Sequence, residues 1–553
     1  LAGSDLSAAA NRVAVDSNRV LAALTSVPTG ERAAVIDWAL GRDVRDADRD
    51  GNVTEARRDM GDAFHGQPVT VLYGGTAGSP ITSVFLATND GFLHSIDADT
   101  GNERWAFIPG RLLNGLYPLY RNEAASGKTY GLDGRINLVI ENDDGQPGVS
   151  GNEKAILLFG MGRGGDAVFA VDVTARNAPR LLWQISSADS QFADLGQTWS
   201  PPVAARVQIG GVTRNVAVFG GGYDPGQDNR AFRRDTIGNA IYMVDLETGA
   251  RVWSAGSPDA VGPHDLTLPA MEFSIPAPVK PLDLSGDGLA DRFYVGDMGG
   301  QLWRFDIVNG ASRAGLVEGG VLASLGGAAV DAPTSADLRR FYEAPDVAPV
   351  ILDRKLVIAI NIGSGYRGHP LDTEIEEAFF SIRDFNAFGV IASGDYPASP
   401  VSVQQLVDIT DDAEPELPFA VAGWQLRLVR GAGEKVLGEA VTFDNTTFFT
   451  SFTPGETITD CTSGTGTNRF YAVSVFDGRP RTNFDSPVGE PLTTADRAKT
   501  LKAGNPVTDV NLYRTEDGPV PCAGAECLTP EERERLRLRK EPVRRTYWFQ
   551  REG

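Results

Sequence analysis

From about residue 68 the chain becomes a succession of short apolar runs broken by Gly, Asp and Asn. One unit recurs in degenerate form: an apolar run, a glycine-rich turn, a second run ending in Asp, another turn, then Trp. Its clearest copy spans residues 84–97, passes through Asp99-Thr100-Gly101 and ends at Trp105. It returns over 156–183, 216–253 and 293–306, and more weakly over 357–382 and 447–475. Alternating apolar positions give each strand a buried face, while Asn89-Asp90-Gly91 and Thr248-Gly249 supply the positive φ that tight hairpins need. A pair of hairpins cannot bury that face alone, and radial repetition is the common remedy. The pattern predicts an all-β fold, a modified β-propeller of seven irregular blades, with long insertions at 257–281, 311–349 and 384–429.

The flanks follow a different period. Spaced apolar residues (Val13, Val15, Val20, Leu21, Leu24) predict a helix over 7–27, and Thr29 caps a second over 31–40 that Gly41 ends. Thr529-Pro530-Glu531-Glu532 is a capping box with Pro at the first helical position, predicting a helix over 530–540 with a solvated basic face. The expected domains are a helical lead-in with an acidic loop (1–60), the propeller (61–480) and a C-terminal extension whose helix packs on it (481–553).

Two acidic loops carry candidate chemistry. The stretch 283–291 places Asp283, Ser285 and Asp287 at positions one, three and five, a glycine at six and Asp291 at nine. Ca²⁺ takes six to eight oxygens at about 2.3–2.6 Å. Asp283, Ser285, Asp287 and Asp291 would ligate by side chain and Leu289 by its carbonyl. The second loop, with Asp46, Asp48, Asp50, Asn52 and Thr54, matches the start of an EF-hand loop but carries Arg57 where the bidentate Glu belongs. It is the weaker calcium candidate.

Charge narrows the partners. Against 73 Asp and Glu stand 51 Lys and Arg, a formal charge of −22, which disfavours nucleic acid and anionic membrane surfaces. No run of about 18 apolar residues occurs, so no transmembrane helix is expected. The chain begins Leu1-Ala2-Gly3, the start expected of a processed protein or a fragment. Its 3 cysteines allow Cys461 to pair with Cys522 or Cys527, or Cys522 with Cys527.

Other motifs lack their context. Gly160-Met161-Gly162-Arg163-Gly164-Gly165 fits a dinucleotide fingerprint, but a strand follows where a helix must receive the pyrophosphate. Gly127-Lys128-Thr129 lacks the first glycine of a P-loop. His65, His94, His264 and His369 show no zinc spacing. No catalytic residues are assigned, and the chain is read as a non-enzyme.

An ordered series of stretches carries a resemblance: Val35-Ile36-Asp37-Trp38, Met60-Gly61-Asp62-Ala63-Phe64-His65, Ala87-Thr88-Asn89-Asp90-Gly91 and Trp105-Ala106-Phe107-Ile108-Pro109. The series continues with the 160–165 glycines, Ala170-Val171-Asp172-Val173-Thr174, Thr198-Trp199-Ser200-Pro201, Gly221-Gly222-Tyr223-Asp224, Tyr294-Val295-Gly296-Asp297 and Trp303-Arg304-Phe305-Asp306. In these the chain resembles the C-terminal domain of the PilY/PilC family of type IV pilus biogenesis and tip adhesin proteins. The resemblance implies a calcium-binding protein at the bacterial cell surface, at the pilus tip, outer-membrane-associated or secreted. It would work with minor pilins and the pilus machinery, with a further N-terminal domain, and with a host-cell or surface ligand. Calcium would tune extension against retraction, twitching motility and adhesion. The family's calcium loop falls on Asp283, Ser285, Asp287, Leu289 and Asp291, with Ser285 departing from the usual carboxylate or amide. The blade texture also resembles quinoprotein-like propellers. The alternatives are therefore a pyrroloquinoline-quinone dehydrogenase, whose adjacent Cys-Cys disulfide is missing here, or a structural outer-membrane assembly propeller.

Overall fold

The computed structural model describes residues 4–57, 59–76, 78–124, 127–231, 234–327, 333–397, 399–455, 465–484, 490–515 and 518–538. Seven sheets, antiparallel through their main strands, follow one another along the chain as the blades of a propeller. Blades three, four and five each add a short parallel edge strand, Leu266–Thr267, Val401–Ser402 and Val407–Asp408. Blade one is Val69–Thr76, Ser79–Ala87, Leu93–Asp97 and Glu103–Phe107; blade two is Ile136–Glu141, Lys154–Gly160, Ala167–Asp172 and Arg180–Ser186. Blade three comprises Val203–Ile209, Val212–Gly220, Ala240–Asp245 and Arg251–Gly256; blade four, Lys280–Leu282, Arg292–Gly296, Gln301–Ile307 and Val317–Ser324. Blade five holds Asp346–Leu352, Lys355–Gly363, Ala378–Asp384 and Gly423–Arg427, and blade six Val441–Phe443, Thr446–Thr453, Thr467–Ser474 and Ala498–Thr500. Blade seven is Val510–Thr515, Gly518–Ala523 and Glu526–Cys527.

The recurring Trp has a physical role at the seams between blades. Trp105 Nε1 donates to the Arg176 carbonyl of the next blade at 3.0 Å, and Trp183 Nε1 to the Leu246 carbonyl at 2.8 Å. Gly249 lies under Trp183, where a Cβ would sit 2.7 Å from the indole and where φ is +71°. The Thr-Gly turn of one blade is thus the seat for the Trp of the blade before it. Trp303 departs from this pattern: it lies on the third strand of blade four and donates to Asp297.

Middle strands are buried on both faces, which is why they read as continuous apolar runs such as Ile156-Leu157-Leu158-Phe159. In blade four Phe293 and Val295 pack towards blade three, and Tyr294 towards blade five. Every seam from blades one–two to blades six–seven has such an apolar cluster. Among the described residues the seam between blades seven and one has none. Its blade-one face, Leu72, Val84, Leu86 and Ile96, is only half-buried. Local opening starts where few apolar contacts must break. Amides of Ser79–Ala87 and Val510–Thr515 are therefore expected to exchange with deuterium well before those of Arg292–Gly296. Equal protection would show the seam to be closed by other means.

The flanks differ from expectation in extent. Instead of one helix over 7–27 there is a 3₁₀ turn, Ala9–Asn11, and a short helix, Asn18–Ala23, because Asn11 Nδ2 donates to the Asp5 carbonyl and Ser17 Oγ accepts the Val20 amide, local bonds that compete with a continuous helix. The second helix, Arg32–Ala39, buries Val35, Ile36 and Trp38 against blades one and two. The propeller also continues past residue 480, since blade seven lies within 481–553. The last helix is Pro530–Arg535, capped by Thr529, with Leu536 buried at the blade six–seven seam and Glu532 paired to Lys499 at 2.8 Å. Residues 539–540 and Cys461 lie outside the described residues. Cys522 and Cys527 form a disulfide across blade seven. The 160–165 glycines form a 3₁₀ turn between antiparallel strands, as a hairpin requires.

Candidate functional site: an acidic loop at the mouth of the central channel

The innermost strands of blades two to seven line a central channel of about 1600 Å³. Arg135, Glu343, Glu439 and Asp509 each stand just before the inner strand of their blade, so the fold gathers them at one end. The Arg135 guanidinium approaches Glu343 at 3.3 Å and Glu439 and Asp509 at 3.4 Å, and Arg367 also pairs with Glu343. Gln67, just before blade one, donates to Asp509 at 2.8 Å and ties the first blade to the last. Burial pushes the Glu343 carboxyl upward against the pull of Arg135 and Arg367. Burial also presses on Asp509, but Arg135, the Glu439 amide and Gln67 hold it below its ordinary value.

Several of the stretches that carried the family resemblance meet near the same end. His65 meets Asp133 at 2.6 Å, Asn89 bridges Asp133 and Asp62 at 3.0 and 2.8 Å, and Arg163 binds Asp228 through two 2.9 Å bonds. Arg163 also lies 5.2 Å from the Trp199 ring and 5.6 Å from that of Tyr223. Reading the sequence did not single out Arg135, Glu343, Glu439 and Asp509. Their only signal was a charged residue shortly before an apolar strand, repeated in four blades.

Loops that follow the inner strands lie at the opposite end. The 283–291 loop joins the first two strands of blade four, and Gly288 lines the channel there. Asp283 is buried; its Oδ1 accepts from the Gly286 amide at 2.6 Å and its Oδ2 from the Gly288 amide at 2.8 Å. Asp291 Oδ2 accepts from the Leu284 and Ser285 amides, both at 2.7 Å, and Asp287 Oδ1 from the Leu289 amide at 2.8 Å. Gly286 and Gly288 have φ of +77° and +85°, so both belong to the left-handed region that admits glycine. These bonds bend the loop around its own carboxylates, and among the described residues Asp291 Oδ1 and Asp287 Oδ2 accept no hydrogen bond. The donor set is all oxygen, which suits a hard cation. The carboxylates of Asp283, Asp287 and Asp291 are not, however, all within 4.8 Å of one another, as shared ligation requires. Exposed Asp287 must turn inward to complete the set.

The other loop is more compact. Carboxylate oxygens of Asp46, Asp48 and Asp50 lie within 4.8 Å of one another, and a second triad joins Asp48 to Asp43 and Glu55. Gly51 donates to Asp46 Oδ1 at 3.0 Å, while Asn52 Oδ1 is taken by the Thr54 amide and hydroxyl. Arg57 stacks on Trp38, 4.1 Å from the ring, and leaves the twelfth position without an acidic ligand. A third acidic triad, Asp143, Asp144 and Glu153, follows the inner strand of blade two.

A model of the PilY1 beta-propeller domain matches residues 72–318, which run from within the first strand of blade one to the start of the last strand of blade four, with the 283–291 loop inside. Over residues 72–318 the chain is thus similar to the PilY1 β-propeller domain. Over 228 residues, 40% of this chain, the sequence is 31% identical to a type IV pilus biogenesis factor PilY1 homolog of Xylella fastidiosa, of which the match covers 14%. Over 233 residues, 41% of this chain, it is 32% identical to the type IV pilus biogenesis factor PilY1 of Pseudomonas aeruginosa, covering 17% of it. The chain thus spans under a fifth of the length of these relatives. The crystal structure of the Pseudomonas aeruginosa PilY1 C-terminal domain superposes with a TM-score of 0.57 at 20% identity. It covers 83% of this chain and 93% of that one, which shows a common fold. No helix among the described residues is long and apolar enough to cross a membrane.

Proposed function

We propose that this PilY1-type propeller is a non-enzymatic, calcium-binding part of the type IV pilus machinery, displayed at the bacterial cell surface and pilus tip. The observation that carries this reading is the match of residues 72–318 to the PilY1 propeller, with the oxygen-lined loop 283–291 inside the matched region. Asp283, Ser285, Asp287, Asp291 and the Leu289 carbonyl hold the ion; Asp46, Asp48 and Asp50, with Asn52 and Thr54, form a second, weaker site. Minor pilins, the remainder of a longer chain and a surface ligand are the partners of such a protein. An ion biases two states only through differential affinity, so calcium tunes extension against retraction by binding the pilus-engaging state better.

Calcium titration by calorimetry is expected to give a dissociation constant in the range of about 10⁻⁷–10⁻³ M. Asp291→Ala is expected to remove the blade-four component, and Asp48→Ala the other. Heats unchanged by both substitutions would exclude both loops. In the encoding bacterium, deletion is expected to abolish surface pili and twitching, and complementation with Asp291→Ala to shift pilus number. Normal piliation in the deletion strain would overturn the role; normal piliation with the calcium-deficient variant would make the ion purely structural.

A further inference from the structure

We propose that Arg206 sets the calcium affinity of the 283–291 loop, acting as a fixed competing cation; this rests on the reading of that loop as a calcium site. Arg206 lies on the inner strand of blade three, is exposed and lines the channel. Its carbonyl accepts the Ala290 amide at 2.8 Å, which locks the strand to the loop. Asn309 adds a second tie, donating from Nδ2 to the Ala290 carbonyl at 3.0 Å and accepting the Gln208 amide of the same strand at 2.8 Å. The guanidinium stands over Gly288: a Cβ built there would be 3.7 Å from Arg206 Nη1. The Gly288 amide in turn donates to Asp283 Oδ2 at 2.8 Å. Among the described residues the Arg206 side chain has no hydrogen bond and no ion pair, in contrast to Arg135, Arg292 and Arg304.

A guanidinium stays charged at every physiological pH. Standing beside the loop on a backbone tied to it, and not bonded to the carboxylates, it offsets part of their charge when calcium is absent and repels a dication when calcium enters. Both effects weaken binding. Gly288 owes its identity to its φ of +85°, and a Cβ built there would only touch the guanidinium, so the two groups are in contact range without being bonded. Between half-exposed groups at physiological ionic strength, an interaction of this kind amounts to about three- to tenfold in affinity and fades as salt shortens the Debye length.

The test is calcium chloride titration of the full chain as wild type, Arg206→Gln and Arg206→Lys, at low and at high sodium chloride. Arg206→Gln is expected to bind calcium about three- to tenfold more tightly than wild type at low salt, and Arg206→Lys to stay within about twofold of wild type. The difference is expected to collapse at high salt. Equal affinity of wild type and Arg206→Gln at low salt, with the Asp291→Ala variant no longer binding, would overturn the proposal and leave the calcium site standing. A wild type that shows no Asp291-dependent binding would overturn the site itself and the proposal with it. Arg206 is exposed, so circular dichroism is expected to report an unchanged fold in both variants.

Discussion

Replacing Arg135 by Ala is expected to cost about 3–5 kcal/mol of stability at neutral pH, the usual loss when one partner of a buried charge cluster is removed. Three carboxylates from three different blade junctions converge on this guanidinium, and its loss leaves them facing one another in a poorly solvated place. The pH dependence fixes the cause. In the wild type Asp509 is held below its ordinary value, so it contributes stability above that value, which is lost as pH falls through the folded one. Without Arg135 burial prevails: the folded value of Asp509 rises above the unfolded one, and that of Glu343, already raised by burial, climbs further. The destabilisation then grows as pH rises from about 4 to 7 and shrinks in acid. Chemical denaturation of both proteins across that range is the measurement. A loss independent of pH would mean that packing rather than charge is responsible.

Arg304→Ala is expected to be comparably severe, about 3–5 kcal/mol, with a different local signature. Arg304 is fully buried in blade four, pairs with Asp306 and Asp384 at 2.8 Å and donates to the Asn386 carbonyl at 3.1 Å. Arg292 shares these partners: it donates to Asp306 at 2.5 Å and to the Gly389 carbonyl at 2.8 Å. Two arginines and two aspartates therefore hold the base of the insertion after Asp384, which presents Phe385 and Phe388 to solvent. Limited proteolysis is expected to cut Arg304→Ala within 385–391 faster than wild type. Arg304→Lys restores charge but not the planar fork that serves several acceptors, and is expected to recover less than half of the loss. Wild-type stability in Arg304→Ala would show the cluster to be energetically neutral.

Composition and spacing alone determined the architecture. Apolar runs, Asp-Gly and Thr-Gly turns and a recurring Trp state a repeat that must bury both faces of its middle strands, and the seat that Thr248-Gly249 gives Trp183 shows why turn and Trp recur together. The oxygen-bearing residues of 283–291 were visible because they are contiguous, but spacing did not show that the carboxylates of Asp283, Asp287 and Asp291 stand too far apart to share an ion without rearrangement. The extent of blade seven was not, since Val510–Thr515 and Gly518–Ala523 lack the Trp and the Thr-Gly turn that marked the others. The helix expected over 7–27 failed for a related reason: apolar spacing was present, but polar residues at 11 and 17 gave the backbone local alternatives.

Only the tertiary structure brought Arg135 to Glu343, Glu439 and Asp509, residues separated by up to several hundred positions. Ring closure decides which charges share the channel's end, and nothing local in the sequence encodes that. The same holds for Arg206: its charge is visible in the sequence, but its place over Gly288 follows from the register of blade three against blade four. Local chemistry is written in contiguous residues because the donors travel on one segment. The electrostatic environment of that segment is set by neighbours that the fold alone brings within Coulomb range.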